Sequence, residues 1–293
     1  MKNHHHHHNN VSEKSVSLLM LSFAINIALS FVELVGGILS ASMALVADAL
    51  HNTSDALSIL IACIAFKIGR RKATEKFSYG FGRAETIGAF ANLVLLFVSG
   101  VYLVVEGVER LWSPQRIDGV MIIWISLLAL VIDAATAKIS HHEAHHNTNM
   151  KMLFVHNLAD AFGSLGVIVS GIFVLWLGVY RLDGVIALCI AGYMIFQAVV
   201  SFPEVVKVLM NAAPDDVELE EVKNSITALE NVDDVHHIHL WRIDEHEVAL
   251  ECHVVSADLE IAAKIAELMK EKYGIAHCNI QLEKGKNCQD CCL

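Results

Sequence analysis

Residues 51–56 read His51-Asn52-Thr53-Ser54-Asp55-Ala56, and residues 156–161 read His156-Asn157-Leu158-Ala159-Asp160-Ala161. The pattern H-N-x-x-D-A thus occurs twice, each time inside an apolar stretch. A His and an Asp four apart lie on one face of a helix, about one turn from each other. Two such helices present two imidazoles and two carboxylates to one point. Ionisable groups deep in an apolar segment are expensive, so they normally face a bundle interior or a water-filled path and mark the transported species. Four nitrogen and oxygen donors in a tetrahedral set suit Zn²⁺. Hydrogen bonding to a neighbouring helix would explain one such pair as well; the repeat favours a metal site.

Outward from these pairs, the chain is apolar. Its 293 residues are 55% hydrophobic with a mean hydropathy of +0.50, far above a soluble domain, which points to an integral membrane protein. Six apolar spans lie near 16–39, 43–66, 86–111, 119–139, 153–177 and 183–203, each close to the ~20 residues a bilayer core requires. They predict a helical transmembrane domain over 16–208, between a His-rich tail at 1–15 and a cytoplasmic domain at 209–293. With the N-terminus inside, eleven Lys and Arg flank the inner ends of the spans, while Arg110, Arg116 and Arg181 alone flank the outer ends. The positive-inside rule then places both termini in the cytoplasm, in the plasma or inner membrane if the source is bacterial. The first span is long and lacks a signal-peptide layout, so it is expected to stay in the mature protein.

Gly36, Gly37 and Ser40 to Ser42 predict a tight outer turn that makes spans one and two antiparallel neighbours. Glu33, Asp48 and Asp133 also sit at membrane depth. Asp48, three residues before His51, shares its helical face and is expected just behind the ligands. Asn26 and Glu33, seven apart, can line one polar seam. Two His-rich tracts remain. His4 to His8 reads as an expression tag or a native metal-catching tail. In the expected loop between spans four and five, His142-Glu143-x-x-His146 matches the zinc metalloprotease motif. Because His141 and His145 make the tract merely His-biased and no third ligand is evident, weak zinc collection or a solvated loop accounts for it better.

From Pro214 the pattern becomes that of a small soluble domain. Helical periodicity over 215–229, alternation over 235–242 and 247–255, an amphipathic helix over 258–273 and alternation over 275–283 give the order αββαβ. This predicts a three-stranded sheet with helices on one face and a second face free for ligands or a partner. Val248, Leu250, Cys252 and Val254 belong to the covered face; Glu251, His253, His277, Asn279, Gln281 and Glu283 belong to the open one. The formal charge of −11 falls wholly on these last eighty residues, which disfavours nucleic acid and attracts cations. The seven cysteines do not form a disulfide framework. Cys288 and Cys291, in C-x-x-C spacing, are a metal-site signal that lacks a second pair.

Together these residues resemble the cation diffusion facilitator family, zinc-transporter branch. The likeness is carried by Gly36 through Asp55 (GGILSASMALVADALHNTSD), the basic loop ending Tyr79-Gly80-Phe81-Gly82-Arg83-Ala84-Glu85, the second His/Asp pair and the αββαβ tail. It covers nearly the whole chain after residue 15. It implies six transmembrane helices and a ferredoxin- or metallochaperone-like cytoplasmic domain, assembled as a homodimer that exports divalent metal in exchange for protons. The family's primary site maps onto His51, Asp55, His156 and Asp160, and His at the first position is associated with zinc. Its intersubunit zinc cluster maps onto His236, His253 and Glu283, with Cys288 and Cys291 matching the tail ligands of some members. Strand alternation by itself places His237 and His239 on the side opposite His236. The expected function is therefore zinc export, with zinc and protons as transported ions, lipid as surroundings, a structural zinc in the cytoplasmic domain and no enzymatic activity. The alternatives are an intramembrane metalloprotease on His142 to His146 and a membrane zinc sensor.

Overall fold

The computed structural model describes residues 13–144, 148–244 and 247–285, with side chains over 24–138, 154–244 and 247–285. His4 to His8, His146, Cys288 and Cys291 lie outside the described residues, as do the side chains of His141 to Glu143. Among those described, six long helices come first: α1 (Glu13–Ser40), α2 (Met43–Gly69), α3 (Arg83–Trp112), α4 (Gly119–Ala144), α5 (Thr148–Leu177) and α6 (Arg181–Leu209). A short helix α7 (Leu219–Thr227), strands β1 (Asp234–Arg242) and β2 (Val248–Val255), helix α8 (Ile261–Tyr273) and strand β3 (His277–Glu283) follow. Five stretches are long and apolar enough to cross a membrane: Met43–Gly69, Arg83–Trp112, Gly119–Lys138, Phe154–Leu177 and Arg181–Leu209. Helix α1 is apolar over Ala24–Ser40.

Two helix ends depart from the sequence expectation. The tract after Lys138 is not a loop from its start, because α4 runs on through His141, His142 and Glu143 to Ala144. No Gly or Pro interrupts it, and Glu and Ala favour helix. Helix α6 likewise continues through Pro203 to Leu209, although proline removes one backbone donor there.

The chain forms two compact units. One holds the described residues up to Leu60 and those from Val94 to Val199; the other holds Ile61–Leu93 and the described residues from Val200. The first unit is a helix bundle with an inverted surface. Leu45, Leu103, Ile122, Val167 and Met194 fill its centre, polar groups such as Glu33, Asp48 and Asp160 are buried with them, and Phe31, Trp124 and Phe196 point outward. That is the distribution expected where the solvent is apolar. Small residues set the helix spacing. A Cβ on Gly119 would lie 2.8 Å from the Gly171 carbonyl, and one on Gly184 would lie 3.1 Å from the Gly107 carbonyl, so α4 meets α5, and α3 meets α6, nearly backbone to backbone.

The turn between α1 and α2 is built on Ala41, which takes a left-handed conformation (φ 59°). Ser42 then caps α2, its hydroxyl accepting the Leu45 amide at 3.2 Å. Asp183, at the start of α6, completes the cap from another helix. It accepts the Ser42 hydroxyl at 2.5 Å and the amides of Met43 and Ala44 at 2.7 and 3.3 Å, where a helix N-terminus favours negative charge. Arg110 of α3 donates to the Ala41 carbonyl at 2.9 Å. The first turn of α2, the helix that carries His51 and Asp55, is thereby pinned to α3 and α6.

In the second unit the sheet order is β1-β2-β3, with β2 antiparallel to β1 and parallel to β3. Val222, Ile226, Leu250, Cys252, Val254, Ile261, Ile265 and Met269 close the core between the helices and one sheet face. Helix α8 ends on Gly274 in the left-handed conformation (φ 69°), with Ile275 buried beyond it. Helix α7 begins at Leu219, four residues later than its periodicity suggests, because Pro214 to Val217 forms a turn closed by a Val217 N–H to Pro214 carbonyl bond.

Candidate metal centre

The repeat places its ligands on α2 and α5, within the bundle unit. His51 Nε2 lies 3.4 Å from Asp55 Oδ2 and 3.3 Å from Asp160 Oδ1; His156 Nε2 lies 3.6 Å from Asp55 Oδ2 and 3.3 Å from Asp160 Oδ2. All four side chains therefore converge. Asp55 Oδ2 and Asp160 Oδ1 are buried without a hydrogen-bond partner, which is costly unless a cation takes that place. Bonds of about 2.0–2.1 Å to a tetrahedral ion put neighbouring donor atoms about 3.3 Å apart; His51, Asp55 and Asp160 offer ligand atoms close enough together to share one such ion, while His156 stands against Asp55 and the second Asp160 oxygen. His51 and Asp160 are almost fully enclosed, whereas 29% of the His156 side chain and 23% of Asp55 are exposed. His156 and Asp55 are thus the less enclosed members of the set.

Side chains beyond the repeated pairs surround this set. The Tyr193 ring of α6 stands edge-on to His51, with centroids 5.6 Å apart. Asn52, next to His51, donates to Glu33 of α1 at 2.9 Å. Ser164, one turn beyond Asp160, contacts Asp48 at 3.4 Å and Asp133 at 3.2 Å. Asp48 thus lies beside the ligands rather than among them. Glu33 pairs with Asn52 of α2.

A second cluster forms on the open face of the sheet. His253 Nδ1 is 2.9 Å and His236 Nε2 3.4 Å from the Glu283 carboxylate, and these three offer ligand atoms close enough to share one ion. Both His236 nitrogens, His253 Nδ1 and Glu283 Oε2 are buried without a hydrogen-bond partner. Such orphaned donors fit a bound cation. Three ligands leave the fourth position of a tetrahedral set open. Strict alternation fails along β1. The register shifts between His236 and His239, His237 takes φ 50°, and His236 pairs with His253 while His239 pairs with Glu251. The bulge therefore puts His236 and His239 on the same face, correcting the alternation-based placement. His237 stacks near His253 at 4.7 Å between centroids. Cys252 faces the core, where burial, helped by Cys278 and Glu251, pushes its thiol up to about 12; burial raises Cys278 too. Neither thiol serves this cluster.

Two family models match the chain, the cation efflux transmembrane domain over residues 19–210 and the cation efflux protein cytoplasmic domain over 214–285. Among curated relatives, the metal cation efflux system protein CzcD of Cupriavidus metallidurans is 29% identical over 270 residues, covering 90% of this chain and 85% of that protein. The cadmium, cobalt and zinc/H(+)-K(+) antiporter of Bacillus subtilis is 29% identical over 274 residues, covering 90% and 88%. The zinc transporter ZitB of Escherichia coli is 29% identical over 270 residues, covering 90% and 86%.

Proposed function

Since the chain belongs to the cation efflux family, a family of transporters and not of enzymes, we propose that this multi-pass membrane protein exports Zn²⁺ from the cytoplasm in exchange for protons. The observation that carries this reading is the set of N···O separations of 3.3–3.6 Å among His51, Asp55, His156 and Asp160. Two imidazoles and a compact tetrahedral frame favour Zn²⁺ over Mg²⁺ or Mn²⁺, which take oxygen-rich octahedral sets. Each ligand must be deprotonated to bind the metal, so proton and metal compete at one place. Imidazoles titrate near neutral pH, and a modest pH difference across the membrane then suffices to release zinc on the far side.

In the same reading α1 is a sixth span, both termini are cytoplasmic, lipid covers the outward apolar side chains, and the transmembrane and cytoplasmic domains divide near residue 208. The chain acts as a homodimer. His236, His253 and Glu283, with Cys288 and Cys291, hold a structural zinc in the cytoplasmic domain. The orphaned polar atoms of that cluster support the assignment.

Purified protein in sealed liposomes, loaded with a zinc-sensitive dye and given a pH gradient, tests the proposal. Gradient-dependent zinc flux is expected, with Asp160→Ala losing more than the about 10–100-fold typical of removing an outer-shell partner. Flux indifferent to the gradient would remove the proton from the scheme, and no flux would remove export.

A further inference from the structure

The turn that joins α2 to α3 takes no part in the metal chemistry, and its charge is unlike that of the rest of the chain. From Lys67 to Arg83 there are six Lys or Arg and one acid, Glu75, a net charge of +5 in a chain of −11, so all other residues together carry −16. A basic inner flank follows from membrane topology alone. That its bases stand without partners does not. In the cytoplasmic region Lys207, Arg242, Lys264 and Lys272 each lie 3.0–3.2 Å from a carboxylate. Arg71, Lys72 and Lys76 are exposed and make no ion pair among the described residues.

The turn is also well built, and it walls a cavity. Thr74 and Phe77 exchange both of their backbone bonds at 3.1 Å, and the Gly80 amide, at a left-handed residue (φ 77°), donates to the Phe77 carbonyl at 2.9 Å. The rings of Phe77 and Phe81 pack with centroids 4.7 Å apart. Lys76, Tyr79 and Arg83 then line, together with Asn211 and Trp241, a cavity of about 600 Å³. Arg83 is anchored there, donating to the Ile243 carbonyl at 3.2 Å and to the Asn211 side chain. Among the described residues no acid lines this cavity; the Asp244 carboxylate sits against Gly82 and takes the Glu247 amide at 2.8 Å.

We propose that this cavity receives the headgroup of an anionic phospholipid, its phosphate against Lys76 and Arg83 and its glycerol against Tyr79 and Trp241. The site is separate from the metal ligands and does not depend on the export reading. Helix α2 ends at Gly69 and α3 begins at Arg83, and both are long and apolar enough to cross a membrane, so the turn is held at the boundary between water and lipid. Trp241 of β1 shares the cavity, which puts the turn on the cytoplasmic domain's side. Unpaired bases attract the anionic surface of a leaflet. An acidic protein segment would satisfy the same charges, but Phe77 and Tyr79 are 53% and 66% exposed, and aromatic rings at a span's end belong in the headgroup layer. A lipid bound here touches the α2–α3 turn and β1 at once, and braces one against the other.

Native mass spectrometry of the full-length protein, stripped of lipid in detergent and titrated with phosphatidylglycerol or phosphatidylcholine, tests the site. The wild type is expected to prefer phosphatidylglycerol. Lys76→Gln, at an exposed side chain with no bond to lose, should weaken phosphatidylglycerol by about fivefold, the share of one base at an anionic surface, and leave phosphatidylcholine unchanged. Lys264→Gln, at a base already paired with Asp258, should alter neither. Hydrogen exchange of the full-length protein in nanodiscs locates the lipid: phosphatidylglycerol, compared with phosphatidylcholine, should slow exchange of the amides over 76–83. Equal affinity for the two lipids, or a Lys76→Gln variant that keeps the full preference, overturns the proposal. So does equal slowing by inorganic phosphate in phosphatidylcholine nanodiscs, which would make the cavity a site for soluble anions. Slowing that appears in detergent without lipid, and only when two copies associate, would give the basic turn to the acidic surface of a second copy and overturn it as well.

Discussion

At the scale of single residues, the ligand set is governed by side-chain reach. Replacing His51 by Asp shortens one arm of the tetrahedron, and the widened frame suits a larger ion. His51→Asp is therefore expected to raise cadmium transport relative to zinc in the liposome assay; an unchanged ratio would mean that His51 does not select the ion. Cys252 supplies a different check. Its thiol, buried and pushed up to about 12 from 9.0, should resist alkylation at pH 8 in the folded chain and react once the chain is denatured. The folded state holds that proton more tightly than the unfolded state, so stability contributed by this group falls as pH climbs from about 9 towards 12. The convergence of His51, Asp55, His156 and Asp160 is legible in the sequence because buried His and Asp are costly in an apolar span, and the same four-residue interval repeated in a second span points them to a common place. Tyr193 is not, since one tyrosine in an apolar helix carries no spacing signal. Nor is the bulge at His237, because a left-handed backbone at a histidine leaves no mark in an alternating pattern.

At the scale of elements, the sequence locates the long helices and the three strands found among the described residues, since hydropathy and period two are strong over such lengths. It misplaces ends, as at Ala144, Leu209 and Leu219, because composition near a boundary is a weak guide beside local hydrogen bonding. The largest omission is the cap on α2, made by a residue about 140 positions away. Asp183→Ala removes acceptors from a hydroxyl and two amides that are buried, at a cost of about 1–3 kcal/mol. A thermal unfolding scan in detergent should show a clear loss of stability, with zinc affinity at the four ligands changed far less. A variant as stable as the parent would mean that water or Ser42 alone satisfies that helix end.

At the scale of the whole molecule, the proposed zinc at the His/Glu cluster of the acidic C-terminal domain would tie metal concentration to assembly. Like charges on the open sheet face repel until a cation arrives. Zinc at about 100 times its dissociation constant should favour the bound, folded state by about 2.7 kcal/mol. Size-exclusion light scattering of the full-length protein should therefore show a larger dimer fraction with zinc than with chelator, and His253→Ala together with Glu283→Gln should abolish the difference. Equal dimer fractions with and without zinc would reduce the cluster to a scaffold. The Asp183 cap bears also on how the chain is made. Helix α2 leaves the ribosome long before α6, and until Asp183 arrives its first amides sit at the membrane with no anion to receive them. The chain must therefore enter the bilayer with an incomplete early hairpin that only its last long apolar helix finishes, so a polypeptide truncated before Arg181 is a substrate for membrane quality control rather than a smaller working bundle.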